Sequence, residues 1–431
     1  MAADTPAPPM APLPERRQIS RLMVFFALVY IVEGLGQAGA GLIAQPLNYF
    51  LKSALGWTPV QVAAWLTVLN LPWIIKPVYG IVSDFVPLFG YRRKAYLVLA
   101  NAAATLACLA VTRMTRPTAL LPVLLLTAYA MAISSTLCGA VLVENGQRLN
   151  ASDRFVNQQW LWFNIAAMAS AFVGGELVQH LSPAGALHGA AAIIAVAPLL
   201  AIFGTLFLID EVPSRLDVAE LKRTFRALLA AFTLRELWVI GLFLFLYYLN
   251  PGFGLPLYYY MTDSLKFSQA TIGMLGAINS AGWIIAALLY RRFLGGLTAK
   301  QLLNASILFG TVTTTSFLLL TSPASAVVIN FFSGMAGMVA FVATLTLAAD
   351  YCPERAEGFA FAALMSLLNL SSTLSGNIGS FLYEHAFHNR LAPLIVVSAA
   401  STAVILALVP LLRLGSKVAG EPARAAATGA G

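Results

Sequence analysis

The chain has 431 residues, of which 59% are apolar and 10% charged, and its formal net charge is +8. Soluble globular domains carry about 25% charged residues, so a water-soluble fold is excluded. The basic residues are scattered through short segments between apolar runs, which excludes a nucleic-acid surface as the reason for the positive charge.

In chain order, residues 1–21 are rich in proline and alanine, end in basic residues and show no cleavable signal peptide; they are expected to be a disordered cytoplasmic segment. Twelve apolar runs follow, expected as helices over 22–50, 59–83, 93–112, 118–144, 157–179, 186–209, 237–261, 268–290, 300–320, 325–350, 358–383 and 391–413. Each can cross a bilayer core of about 30 Å, and none alternates as a barrel strand would. The expected class is therefore an all-α polytopic membrane protein. Thr58-Pro59-Val60-Gln61 opens the second run as an N-cap, a proline at the first helical position and a capping-box glutamine. Residues 210–236 join two halves of the chain. Leu221, Phe225, Leu228 and Phe232 fall there near helical spacing, which fits either an amphipathic interfacial helix or a solvated linker. Residues 414–431 are small and polar, and are expected to be a disordered cytoplasmic tail.

With both termini in the cytoplasm, twenty of the 26 lysines and arginines fall on the cytoplasmic side. This is the positive-inside asymmetry, and it fixes the expected orientation of a multi-pass protein, here in the plasma (inner) membrane.

The chain also repeats itself. "LGWT" at 55–58 and "WII" at 73–75 are answered by "LKFS" at 265–268 and "WII" at 283–285. Glu144, Arg148 and Asn164 are echoed by Asp350, Arg355 and Asn369. A six-span shift preserves orientation, so residues 22–209 and 237–413 are expected as two six-helix bundles related by an axis along the membrane normal. That is the plan of a major-facilitator carrier, with its site between the halves.

Gly80-x-x-x-Asp84 followed by Gly90-x-Arg92-Arg93 resembles the major-facilitator signature loop between the second and third spans. The longer phrase "PWIIKPVYGIVSDFVPLFGYRRKAYL" resembles the hallmark of the folate–biopterin transporter family, a branch of that superfamily. "LYYYMTDSLKFSQATIGMLGAI" (257–278) and "LAADYCPERAEGFAFAALMSLLNLSSTLSGNIGSFL" (347–382) resemble it too. The resemblance implies proton-coupled secondary transport of folates or pterins. One departure stands out. The family's fourth span usually carries two aspartates ahead of a glutamate, whereas this chain has Ser135 and Gly139 there and keeps only Glu144. The two aspartate roles are therefore not carried over.

Glu33 lies about 16 Å into the first run. A charge at that depth costs on the order of 2.5–3.5 kcal/mol, so it should face a wet cavity or a partner. It is the expected proton-coupling group, the alternative being a paired structural carboxylate. Lys76 lies about 10 Å from the cytoplasmic end of the second run, between Pro72 and Pro77. It can snorkel to the surface, or offer its charge to an anionic substrate where the prolines open the helix. Trp73 is an expected stacking surface, and Asn70 and Asn250 are expected amide contacts for a heterocycle, with helix–helix bonding as their competitor. Tyr258, Tyr259 and Tyr260 read better as an interfacial aromatic belt. At the cytoplasmic face, Gly80, Asp84, Gly90, Arg92, Arg93, Glu144 and Arg148 are expected to form a gate cluster, mirrored by Asp350 and Arg355 in the second half.

"GLGQAGAG" at 34–41 matches G-x-G-x-x-G, but inside an apolar span close helix packing explains it better than dinucleotide binding. Cys108, Cys138 and Cys352 show no metal spacing, and the four histidines lie near external ends. No enzymatic activity, cofactor or metal is expected. The expected partners are a small-molecule substrate, protons and the lipid bilayer, with no nucleic acid. The leading function is a carrier of folate- or pterin-like planar anions. A carrier of another organic anion or an exported drug, and a non-transporting assembly factor, are the competing readings.

Overall fold

In the computed structural model, residues 15–37, 39, 41–214, 235–351 and 357–412 are described. Among them, nine helices are long and apolar enough to cross a membrane, and three further spans are broken, shorter or only partly described. The expected amphipathic segment within 210–236 lies almost wholly outside the described residues, as do Cys352 and both chain ends.

The first span runs as α1 (Glu15–Gly36) and then breaks; α2 (Ala44–Tyr49) follows and widens into a π turn at Phe50–Ala54. The helix thus begins earlier than hydropathy suggested, because hydropathy marks where lipid begins and not where the backbone starts to coil. The glycine-rich run explains the break and the packing together. A Cβ on Gly34 would lie 2.6 Å from the Phe163 carbonyl oxygen, and one on Gly36 2.6 Å from the Met131 methyl carbon. At Gly34 only glycine lets α1 come so close to the backbone at Phe163, whereas the flexible Met131 side chain could yield at Gly36.

The second span is α3 (Pro59–Ile74) and α4 (Lys76–Phe85), interrupted at Ile75. The Thr58–Gln61 capping box is present in full. Pro77 has no N–H to give the Trp73 carbonyl, one helical turn back, and the helix bends there. The first half is completed by α5 (Lys94–Val111), α6 (Pro117–Arg148), α7 (Ser152–His180) and α8 (Pro183–Leu208).

The second half repeats this design. Its first span is also broken, into α9 (Arg235–Tyr248) and α10 (Gly254–Asp263), across Asn250-Pro251. Then come α11 (Gln269–Phe293), α12 (Ala299–Ser316), α13 (Pro323–Tyr351), α14 (Glu357–Phe381) and α15 (Leu391–Val404), the last extended by two 3₁₀ turns. Each half holds two apolar cores, one toward the face that carries the termini and one toward the opposite, far face.

Two seams join the halves: α7 against α11, and α3–α4 against α14. They are the same pairing related by the repeat. On the first, Gly175 and Gly273 meet backbone to backbone; a Cβ on Gly175 would lie 2.7 Å from the Gly273 Cα.

Candidate substrate site at the centre of the first half

Three helices bring one charged set together. Ser135 on α6 lies between Glu33 on α1 and Lys76 on α4. The Lys76 ammonium donates to the Ser135 hydroxyl at 3.1 Å, and that hydroxyl donates to Glu33 Oε1 at 2.8 Å. The ammonium also sits 4.5 Å from the centre of the Trp73 ring, a cation–π contact. The other carboxylate oxygen, Glu33 Oε2, is shut off from solvent and has no hydrogen-bond partner. An ammonium has three donors, and Lys76 spends one of them on a hydrogen bond. The sequence placed Glu33 and Lys76 in the membrane separately. It singled out Ser135 only as a departure from the family pattern, and the structure makes it the link between them.

Trp73 is 8% exposed. Its carbonyl, which Pro77 leaves free, accepts from the Asn369 amide of the other half at 2.9 Å. One helical turn away from Trp73, toward the far face, Asn70 is half-buried and makes no side-chain hydrogen bond to another described residue. Asn250 lies elsewhere: its amide reaches Thr402 on α15 at 3.3 Å, and its carbonyl accepts from Ser375. It ties the broken seventh span to α14 and α15, the helix–helix role that competed with substrate contact.

The basic turn forms a cluster on the terminus face. Asp84 pairs with Arg93 and, at 3.4 Å, with Arg92, while Arg93 pairs with Glu144 at 2.7 Å. Arg93 is 6% exposed and also donates to Ser83. Gly90 has φ +83°, the left-handed turn conformation that glycine adopts without cost. Gly80 passes 3.9 Å from the Thr136 methyl, measured from where its Cβ would stand. Arg148 stands apart from the cluster and bonds Asn145 on its own helix. The Asp350 side chain and Arg355 lie outside the described residues. Sequence reasoning missed Glu211. Its carboxylate accepts from the backbone N–H groups of Arg92, Arg93 and Lys94 at 2.7, 2.9 and 2.8 Å, and so caps α5 from the start of the inter-half connection.

The expectation of a tyrosine belt needs correction. Tyr258 and Tyr259 are 6% and 7% exposed and line the junction of the halves, away from lipid. The Tyr259 hydroxyl donates to the Trp57 carbonyl at 2.6 Å, and Tyr258 donates to Gln269. Beside them Lys52 pairs with Asp263 at 2.5 Å and bonds Thr262. Further ties on this far face run from Gln45 to Gln269, from Ala270 to Gln179 and from Val60 to Glu384. Deeper in, Asn377 donates to Thr67 at 2.7 Å. Between Asn369–Trp73 and the terminus face, no hydrogen bond or ion pair between two described residues joins the halves. Among the described residues, the ring contact of Trp160 with Phe341, 4.8 Å between centroids, and the packing of α4 on α14 bridge the halves there.

Two six-helix halves meeting along two seams, with half-buried charges beside one of them, define a carrier of the major-facilitator fold. Comparison with solved structures agrees on that fold. A nucleoside transporter, NupG, superposes with a TM-score of 0.69 at 15% identity, covering 91% of this chain and 99% of its own. The xylose transporter XylE of E. coli gives 0.67 at 11% identity, covering 94% and 97%. The sequence profile of the BT1 family matches residues 36–421, and the chain belongs to that family. Among curated relatives, the folate-biopterin transporter of Synechocystis sp. is 30% identical over 415 residues, 91% of this chain and 81% of its own length. Folate transporter 1 of Plasmodium falciparum is 25% identical over 78% of this chain and 68% of its own. The protein is a multi-pass membrane transporter of a small molecule.

Proposed function

We propose that the protein is a proton-coupled carrier of folate- or pterin-like planar anions, working by alternating access. The observation that carries this reading is the Glu33–Ser135–Lys76 set, held inside the first half next to Trp73 and the α3–α14 seam. Lys76 takes the anionic end of the substrate, Trp73 and Asn70 contact its ring system, and Glu33 carries the proton. The names of the relatives support the substrate class.

Both termini lie in the cytoplasm in this reading, which the charge asymmetry of the loops supports. The polar ties between the halves then lie on the external side and at mid-depth, as in a carrier open to the cytoplasm. The Asp84–Arg93–Glu144 cluster belongs to the cytoplasmic gate and exchanges partners with the second half when that face closes.

Folate uptake into proteoliposomes, with and without an inward proton gradient, tests the reading. Accumulation against a folate gradient only when protons flow inward supports it. Exchange that ignores the proton gradient would remove the coupling. Transport of aromatic carboxylates other than folate, with folate excluded, would favour the organic-anion reading, which Ser135 and Gly139 keep open.

A further inference from the structure

Lys76 and Glu33 are half-buried opposite charges on neighbouring helices, yet they do not touch. Their ion pair is absent among contacts within 4 Å, and the one link between them is the Ser135 hydroxyl, 3.1 Å from one and 2.8 Å from the other. A hydroxyl can accept from a cation and donate to an anion at once, so it satisfies both while holding them a full atom apart. A second observation concerns space. Gly139, one helical turn beyond Ser135 on the same face of α6, would find nothing within 4 Å of a Cβ. The face of α6 that carries Ser135 is therefore open one turn further on, and the ammonium keeps donors to spare.

We propose that Ser135 is a positioning residue that keeps Lys76 and Glu33 from closing into a direct ion pair, and so keeps the ammonium available to the anionic group of the substrate. The inference rests on the reading of Lys76 as the substrate's charge partner. Its physical basis is the steepness of the Coulomb term at short range. A directly paired, buried lysine and carboxylate bind each other strongly, and pulling one away leaves the other uncompensated. The substrate would have to break that pair before it could bind. With the hydroxyl between them, the substrate displaces one charge-assisted bond to a neutral hydroxyl, weaker than a direct ion pair, and leaves Glu33 still bonded to Ser135. The other titratable groups within electrostatic reach of Glu33 are Tyr30, on its own helix, and Cys138, on α6. From α7, which also packs on α1, the contact is the neutral Ser170 hydroxyl, bonded to the Gly34 carbonyl.

The test compares the full-length purified parent with Ser135→Ala, Ser135→Thr, Glu33→Gln and the double variant Ser135→Ala/Glu33→Gln. One readout needs no substrate: the rate of reductive methylation of Lys76, followed by mass spectrometry. The other is equilibrium binding of radiolabelled folic acid. Ser135→Ala should slow methylation and weaken folate binding by about tenfold, a change of one decade in affinity. Ser135→Thr should match the parent. The double variant should return to within about threefold of Glu33→Gln, because the lysine then has no carboxylate to collapse onto.

A merely structural serine would not be rescued by removing a charge on another helix. If Ser135→Ala methylates at the parent rate, or if Glu33→Gln fails to rescue it, the proposal is overturned. A parent Lys76 that resists methylation overturns it too. If the methylation pattern holds and no variant binds folic acid, the spacer stands and the folate reading falls.

Discussion

The Lys52 ammonium, from the first half, meets the Asp263 carboxylate, from the second, at 2.5 Å on the far face. Lys52 is 15% exposed and lies 4.5 Å from the centre of the Tyr259 ring, whereas Asp263 is 58% exposed. The pair is thus anchored on one side and wet on the other, a geometry that can be held and released.

Lys52→Ala should loosen that face without unfolding either half. The expected change is about 1 kcal/mol, roughly a fivefold shift in the balance of open and closed far-face states. Spin labels at the exposed positions Ser53 and Ser264 would report it as a new population at longer distance. An unchanged distance distribution would reduce the pair to a surface contact.

Lys76→Ala should weaken binding of folate, which carries a glutamate tail, more than binding of a neutral pterin. Only the tailed ligand loses a charge partner, and the difference should reach about tenfold. Competition binding with both ligands on the same preparation measures it. Equal losses for the two would place Lys76 outside the anion contact.

Asn369→Ala should cost about 1–2 kcal/mol, because the Trp73 carbonyl then has neither its helical partner nor the amide from across the seam. In a Pro77→Ala background the restored N–H can serve that carbonyl, and the cost of Asn369→Ala should fall by at least half. Thermal unfolding in detergent of the two single variants and the double gives the comparison.

Glu211→Ala should lower the unfolding temperature, with a loss of about 1–2 kcal/mol, since three backbone N–H groups at the start of α5 lose their acceptor. Glu211→Asp should recover part of it. A variant as stable as the parent would show that water replaces the carboxylate at no cost.

Much of this architecture was legible in the chain. The spans could be read because a bilayer makes a simple demand on length and polarity, and the ends fell within a few residues for α5, α8 and α14. The Thr58 capping box was legible because all of its parts lie within four residues. The bend in the second span was legible in Pro72 and Pro77, although Pro72 stays inside α3 and the helix breaks at Ile75, just before Pro77. What the sequence did not disclose depends on groups brought together from afar. Asn369 meets the carbonyl that Pro77 frees from 296 residues away, and Ser135 reaches Glu33 across 102. Tyr258 and Tyr259 have the composition of a membrane belt and the position of a seam, a distinction that only the packing of α10 against the first half supplies. Asn250 is an amide in a broken span, and nothing local says whether it faces a ligand or Thr402.

The contact of Gly175 with Gly273 has a mechanical consequence. No side chain interlocks there, so the two backbones resist being pushed together but offer little resistance to rolling over one another. The glycine seam is tied at its far end, from Ala270 to Gln179, whereas the opposite seam is stitched along its depth by Asn377 and Asn369 and has to break both bonds to slide. The molecule therefore has a bearing on one flank and a catch on the other, and the axis of least resistance runs through the glycine pair. A methyl group added to either glycine would act as a wedge in that bearing. It would prop the halves apart at their pivot and leave the charged set beside Lys76 untouched.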